Sequence, residues 1–162
     1  MDKALLAVFD NLCCQNNVII ETQDDIVPVC FIVKDQTIEV ISFIFRNSIE
    51  KEIMKAKLKQ YVLSKKIDGY MLIFDTKATS IHETGQSIVQ DCVMRALYTP
   101  KESVSNFAFY KNHNITEIIK RSSSYGEDYQ DEWNVWGEGI AFNSPINEKY
   151  QNFKSQHKDL YD

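Results

Sequence analysis

The stretch NSIEKEIMKAKLKQYVLSKK, residues 47–66, carries the most regular pattern in the chain. Asn47, followed three residues later by Glu50, forms a capping box and begins a predicted helix. At about 100° per residue, the apolar side chains of this helix fall on two nearly opposite stripes, Ile49, Ile53, Ala56 and Leu63 on one and Met54, Leu58, Tyr61 and Val62 on the other. A helix with its back to water has a single apolar stripe. The second stripe therefore predicts a further cover: the N-terminal helix, the C-terminal segment or another copy of the chain.

Helix and strand patterns precede this segment. Residues 2–15 have apolar side chains at helical spacing, and the asparagines that follow favour an end to that helix. Three strands are then predicted, over 18–20, 26–33 and 37–45, and the last two form a hairpin. Pro28 places the second strand at an edge or at a bulge, because proline donates no ladder hydrogen bond. The strand over 37–45 is apolar on both faces, which favours a central position.

More strand patterns follow the long helix. Residues 70–74 are continuously apolar and predict a central strand, with a loop over 77–86 after it. A second hairpin is predicted from 87–98 and 104–110, and a short helix after Asn114. The chain thus predicts an α+β fold, in which a single mixed or mostly antiparallel sheet of about five or six strands packs against one long helix, with an N-terminal helix beside it. Residues 125–162 are expected to form an irregular, acidic and aromatic segment packed on the body.

Size and composition indicate one globular domain over residues 1–162. The formal net charge of −5 argues against nucleic-acid binding, which depends on lysine and arginine at phosphates. The four cysteines have neither disulfide-rich density nor zinc-site spacing, and they are expected to be buried small hydrophobes. No signal-peptide layout or membrane-length apolar run occurs, so the chain is expected to be cytoplasmic, without membrane contact and without a cofactor.

Catalytic signals are sparse, since no P-loop, GxGxxG, HExxH or GxSxG motif is present. Asp75 and Lys77, leaving the apolar strand with Asp68 upstream, resemble the acidic-x-Lys element of metal-dependent nucleases. Residues two apart on a strand share a face, so the carboxylate could hold a divalent cation while the lysine stabilises charge on phosphate. The alternative is that both side chains lead the strand into solvent.

A mixed metal site is a second possibility, formed by His82 with Glu83, Asp91 and His113. Ordinary surface positions are the alternative for these side chains. Asp91 also lies four residues before Arg95 on the same strand face, and the two are expected to form a partly buried ion pair.

A binding surface is predicted from Tyr129, Trp133 and Trp136, which interleave with acidic residues. Tryptophan and tyrosine are favoured interface anchors, and the acids would steer a basic partner. The alternative is that the rings cover the sheet or the long helix. The sequence therefore favours a non-enzymatic accessory or protein-binding module, whose partner is another protein or a second copy of the chain. The alternatives are a metal-dependent hydrolase or nuclease using Asp68, Asp75 and Lys77, and a small-ligand binding domain.

Overall fold

The computed structural model describes residues 1–23, 25–81, 83–126 and 131–137. The described elements, in chain order, are α1 (Lys3–Thr22), β1 (Val29–Lys34), β2 (Thr37–Ser42), α2 (Ser48–Lys65), β3 (Gly69–Ile81), β4 (Ser87–Tyr98), β5 (Glu102–Lys111) and β6 (Asn114–Ser124). The strands form one antiparallel sheet in the order β2-β1-β3-β4-β5-β6. The prediction of an α+β fold with a single, mostly antiparallel sheet of five or six strands is confirmed.

Helix α1 is longer than the sequence pattern predicts. Its N-cap Asp2 accepts hydrogen bonds from the backbone N–H groups of Ala4 and Leu5, at 2.8 and 3.1 Å. The predicted strand over 18–20 is wrong, because those residues continue the helix to Thr22. Ile20 explains the outcome: it is 1% exposed and packs with buried residues of β3, β4 and β5.

Strands β1 and β2 form the predicted hairpin around Asp35 and Gln36. Both turn residues have positive φ, 49° and 65°, as the two central residues of a type I′ turn require. The central position predicted for the 37–45 strand is wrong: β2 is an edge strand, and β1 lies between β2 and β3. The prediction that Pro28 places its strand at an edge or a bulge is also wrong. Pro28 precedes the first residue of β1, so the ladder of hydrogen bonds along this strand is complete.

Helix α2 begins where its capping box predicts. The Asn47 side chain accepts from the Glu50 backbone N–H at 2.8 Å, and the Glu50 carboxylate accepts from the Arg46 backbone N–H at 2.7 Å. Leu58 and Val62 belong to a buried cluster that also contains residues of β1, β3 and β4. Of the stripe formed by Ile49, Ile53, Ala56 and Leu63, Ala56 is fully buried, whereas Ile49 and Leu63 are 60% and 55% exposed.

Strands β3 to β6 form an antiparallel meander. β3 continues to Ile81 and β4 begins at Ser87, so the first half of the predicted loop over 77–86 is strand. The hairpin of β4 and β5 is confirmed. The predicted helix after Asn114 is wrong, because this segment is β6. Asn112 and His113, at φ 50° and 65°, form a second two-residue turn that sends the chain back along β5.

The sheet has an apolar layer on each face. On the face called here the α1 face, Phe9 and Cys13 pack with Met71 and Leu97. On the opposite face, Tyr70 is fully buried, and its hydroxyl donates to the Trp133 carbonyl at 2.5 Å and accepts from the Val135 backbone N–H at 2.9 Å. Burial raises the pKa of this tyrosine well above its ordinary value. The described part of the C-terminal region is thereby held against the sheet.

Candidate functional site

The residues of the proposed nuclease element are not brought together. Asp68 lies just before β3 and accepts from the Asp35 backbone N–H at 2.8 Å, which fixes it to the β1–β2 turn. Asp75 lies seven residues further along the chain, within β3, so about 23 Å separates the two at about 3.3 Å per residue. A single cation cannot be held by both carboxylates.

A smaller polar cluster does form on the α1 face around Asp75. Its carboxylate accepts from the Tyr110 hydroxyl at 2.9 Å, and Lys77 lies opposite Asp91 across the β3–β4 pair. Burial raises the pKa of the Asp75 carboxyl, the hydrogen bond from Tyr110 opposes that rise, and the charge of Asp91 adds to it. The cluster thus combines two carboxylates, one ammonium group and one phenol hydroxyl on the same face of the sheet.

The predicted metal ligands stay apart where they are described. His82 lies outside the described residues, Asp91 is exposed on β4, and His113 lies in the β5–β6 turn with its Nδ1 3.2 Å from the Ile20 carbonyl oxygen. Within residues 1–23, 25–81, 83–126 and 131–137, no group of three His, Cys, Asp or Glu side chains is placed to hold a metal ion.

The predicted aromatic binding residues lie in different surroundings. Tyr129 lies outside the described residues. Trp133 is 4% exposed and contacts Phe43, Phe45 and Phe74, with ring centroids 5.2–5.9 Å away. Trp136 is half-buried and lies 5.3 Å from the Tyr70 ring. In this arrangement Trp133 serves the core, which is the alternative that the sequence left open.

Charges of α2 surround the same tryptophan. The Lys51 and Lys55 ammonium groups lie 5.5 and 5.8 Å from the centroid of Trp133, within cation–π range. Both also pair with Glu132, at 2.7 and 3.7 Å. The basic residues of α2 and the acidic residues of the C-terminal region therefore pair internally at this point.

Arg95 is the most unusual buried group, and its partners differ from those predicted. It is fully buried and forms no ion pair with Asp91. Its Nη1 donates to the Cys13 carbonyl at 3.3 Å and to the side-chain oxygens of Asn16, at 3.2 Å, and Asn17. Nη2 donates to the side-chain oxygen of Asn106, its cross-strand neighbour on β5. Burial lowers the pKa of Arg95, and neutral amides and a carbonyl compensate its charge.

A cavity of about 820 Å³ lies on the sheet face opposite α1. Its lining combines an apolar floor, hydroxyl groups and charges of both signs, and includes Phe74, Met94, Ser105, Phe107, Arg121 and Asp131. The volume suits a small ligand. The mixed lining selects no chemical class of ligand, so the cavity by itself indicates no substrate.

The outer side of β2 is one of the two edges of the sheet, and no strand among the described residues pairs with it. The Phe43 N–H donates to the Pro28 carbonyl at 3.3 Å, which fixes the alternation of the β1–β2 ladder. Thr37, Glu39 and Ile41 therefore turn their backbone groups toward β1, whereas Ile38, Val40 and Ser42 turn theirs outward. Both Ile38 and Val40 are exposed, at 47% and 61%.

Comparison with known proteins adds no relationship. The chain has no significant match among protein-family models, curated proteins or solved structures. Neither helix in the described ranges combines the length and apolar character needed to cross a bilayer.

The two sheet edges differ in how they discourage pairing. β6 carries Glu117, Lys120 and Arg121, all exposed, and charged side chains are the usual protection of an edge. The only charged side chain of β2 is Glu39, and it accepts a hydrogen bond from the Tyr61 hydroxyl of α2 at 2.5 Å. Sequence reasoning missed this edge because it placed the strand at the centre of the sheet. The short Asp35–Gln36 turn, followed by a helix after β2, was the available signal of an open side.

Proposed function

We propose that this protein is a non-enzymatic protein-binding module that associates with itself through the open side of β2. The supporting observation is that Ile38 and Val40 lie exposed on an edge strand that has no lysine, arginine or proline to protect it. Unpaired backbone groups along such an edge are a template for another chain.

Neighbouring apolar residues favour the same side of the molecule. Ile44, in the segment after β2, is 55% exposed and lines a shallow cavity of about 380 Å³ with Ile53 and Met54 of α2. Apolar residues grouped at one side are typical of an interaction site.

The hydrolase alternative has weaker support. Asp68 and Asp75 are separated along β3, and the described residues offer no third ligand beside Asp75 and Asp91. The binding hypothesis needs no such convergence, because backbone pairing and apolar contact suffice.

Sedimentation velocity over a wide concentration range tests the proposal. We expect wild type to show concentration-dependent association, and Val40→Lys to reduce it, because lysine at an edge opposes pairing. Val89→Lys is the matched control, since Val89 is also a strand valine and is 60% exposed, compared with 61% for Val40. A wild-type chain that stays monomeric at every concentration, or equal effects of the two substitutions, would count against the proposal.

A further inference from the structure

Resting on the proposed self-association, we infer that two copies pair antiparallel through β2 about a two-fold axis at Val40. The two six-stranded sheets then form one continuous sheet of twelve strands. The partner is a second copy of this chain, and the contact is isologous, as in most homodimers.

The alternation of the β1–β2 ladder selects this register. The outward backbone groups belong to Ile38, Val40 and Ser42, as derived above from the Phe43–Pro28 bond. An axis at Val40 places Val40 opposite the partner's Val40, and Ile38 opposite the partner's Ser42. Each of the three resulting pairs exchanges two N–H···O=C bonds, because all are hydrogen-bonded pairs of an antiparallel ladder.

Other registers pair fewer groups. Within β2, an axis at Glu39 or Ile41 would form only two pairs of outward residues, with four bonds instead of six, and an axis at Glu39 would also set the two Glu39 carboxylates opposite each other. An axis at Ile38 would bring Val40 opposite Gln36, whose φ of 65° places it in the turn rather than in extended backbone. The Val40 axis therefore uses the whole free edge and leaves the hairpin unchanged.

The side chains of β2 suit the same register. On the α1 face, the exposed Ile38 and Val40 meet the partner's Ser42 and Val40, so apolar groups meet across the axis. On the other face, Glu39 lies opposite the partner's Ile41 rather than opposite another carboxylate. Like charges directly opposite each other on adjacent strands are destabilising, and this register avoids that pairing.

The helices leave room for the contact. Leu58 and Val62 of α2 belong to a buried cluster with Cys30 and Ile32 of β1 and with residues of β3, and Tyr61 is the α2 residue that reaches β2, at Glu39. Across the axis the two β1 strands are three strand spacings apart, about 14 Å. Packed helices need only about 8–10 Å, so the two copies of α2 do not collide.

A proline at the axis tests the backbone bonds. Val40→Pro removes an N–H that points away from β1, so the monomer tolerates it as edge strands do. Two of the six intermolecular bonds are lost, one in each copy, and we expect the dimer dissociation constant to rise by about tenfold or more. Val40→Thr keeps the amide and a similar shape, and it should stay within about twofold of wild type. Unchanged circular dichroism and urea midpoint establish that each variant is folded.

Cysteine cross-linking tests the register. Hydrogen-bonded antiparallel pairs have Cα atoms about 5.5 Å apart, within disulfide range. In a Cys14→Ser background, which removes the exposed thiol, Val40→Cys should form a disulfide-linked dimer. Ile38→Cys and Ser42→Cys should each cross-link poorly alone and efficiently when mixed. Val89→Cys is the control for random collision.

The outcomes separate the two proposals. Cross-links at the expected positions, together with the proline effect, support the register. Association in sedimentation without these cross-links, or with equal affinity for Val40→Pro and Val40→Thr, overturns the register and leaves self-association standing. A chain that is monomeric at all concentrations overturns both.

Discussion

The substitution Asn106→Leu tests the hydrogen bonds that surround the buried guanidinium of Arg95 in the core. Asn106 is 5% exposed, and its side-chain oxygen accepts from Nη2 of the fully buried Arg95. Nε of Arg95 already lacks a partner among the described residues. Leucine at 106 would leave a second nitrogen of the same guanidinium buried and unpaired. Within the described ranges no carboxylate neutralises the charge of this guanidinium.

The expected cost follows from the type of bond. A hydrogen bond to a charged group contributes about 1.5–3 kcal/mol to stability, and the free energy of unfolding should fall by about that amount. Domains of ordinary stability have about 5–15 kcal/mol in total, so the loss is large. Gln90→Leu, an exposed amide on β4, is the control and should change stability by about 0.5 kcal/mol or less.

The assay is urea denaturation of Asn106→Leu, of Arg95→Met and of the double variant that combines them. Arg95→Met combined with Asn106→Leu removes both the buried charge and one of its acceptors, leaving the Asn16 amide, 4% exposed, as the main unpaired group. We expect the double variant to be more stable than the sum of the single losses predicts, by about 1 kcal/mol or more. A loss for Asn106→Leu no larger than that of Gln90→Leu, or strictly additive losses, would refute the reasoning.

Three further predictions concern titratable groups. Cys14 is exposed and the other three thiols are buried, so a thiol reagent should modify one cysteine rapidly in the folded protein and four after denaturation. Burial raises the pKa of Cys30 to about 12, so the unfolded chain ionises first as pH rises above its ordinary value of 9.0. Stability should fall from that pH upward, by up to about 1.4 kcal/mol per pH unit for that thiol, and Cys30→Ala should show a shallower fall in urea titrations. Because the pKa of Asp75 is raised in the folded protein, the folded chain binds this proton more tightly than the unfolded chain does. Protonation therefore contributes to the free energy of unfolding at low pH, and this contribution is lost as pH rises. The stability of Asp75→Asn, which still accepts from Tyr110, should therefore increase relative to wild type as pH rises above 3.8, the ordinary value for this carboxyl, towards neutrality. A difference that stays constant with pH would contradict this.

Local signals predicted the elements whose ends are set by neighbouring residues. The capping box at Asn47 and Glu50 predicts the start of α2: the Asn47 side chain accepts from the Glu50 N–H as expected, whereas the Glu50 carboxylate accepts from the Arg46 N–H instead of the Asn47 N–H. The hairpins around Asp35–Gln36 and around Thr99–Glu102 were predicted because short polar turns separate β-rich runs. In each case the deciding contacts lie within about four residues along the chain.

Predictions failed where distant contacts decide the structure. Asn16 and Asn17 do not end α1, because their side chains bond Arg95, about eighty residues away. Ile115, Ile118 and Ile119 have helical spacing, yet the turn at Asn112 and His113 aligns them with β5. Helical propensity is a weak prior, and tertiary pairing overrides it.

The candidate surface depends on strand order, which periodicity alone does not specify. An apolar pattern on both sides of a strand indicates that both sides are covered, and the sequence of residues 37–45 was interpreted as a central strand on that basis. The sheet order puts β2 at an edge with β1 on one side only, and Ile38 and Val40 remain exposed on its α1 face. A second copy, paired at Val40, would place the strand at the centre of a larger sheet and set these side chains beside the partner's Ser42 and Val40 on that face. Val40→Lys should then impair association while leaving the monomer folded.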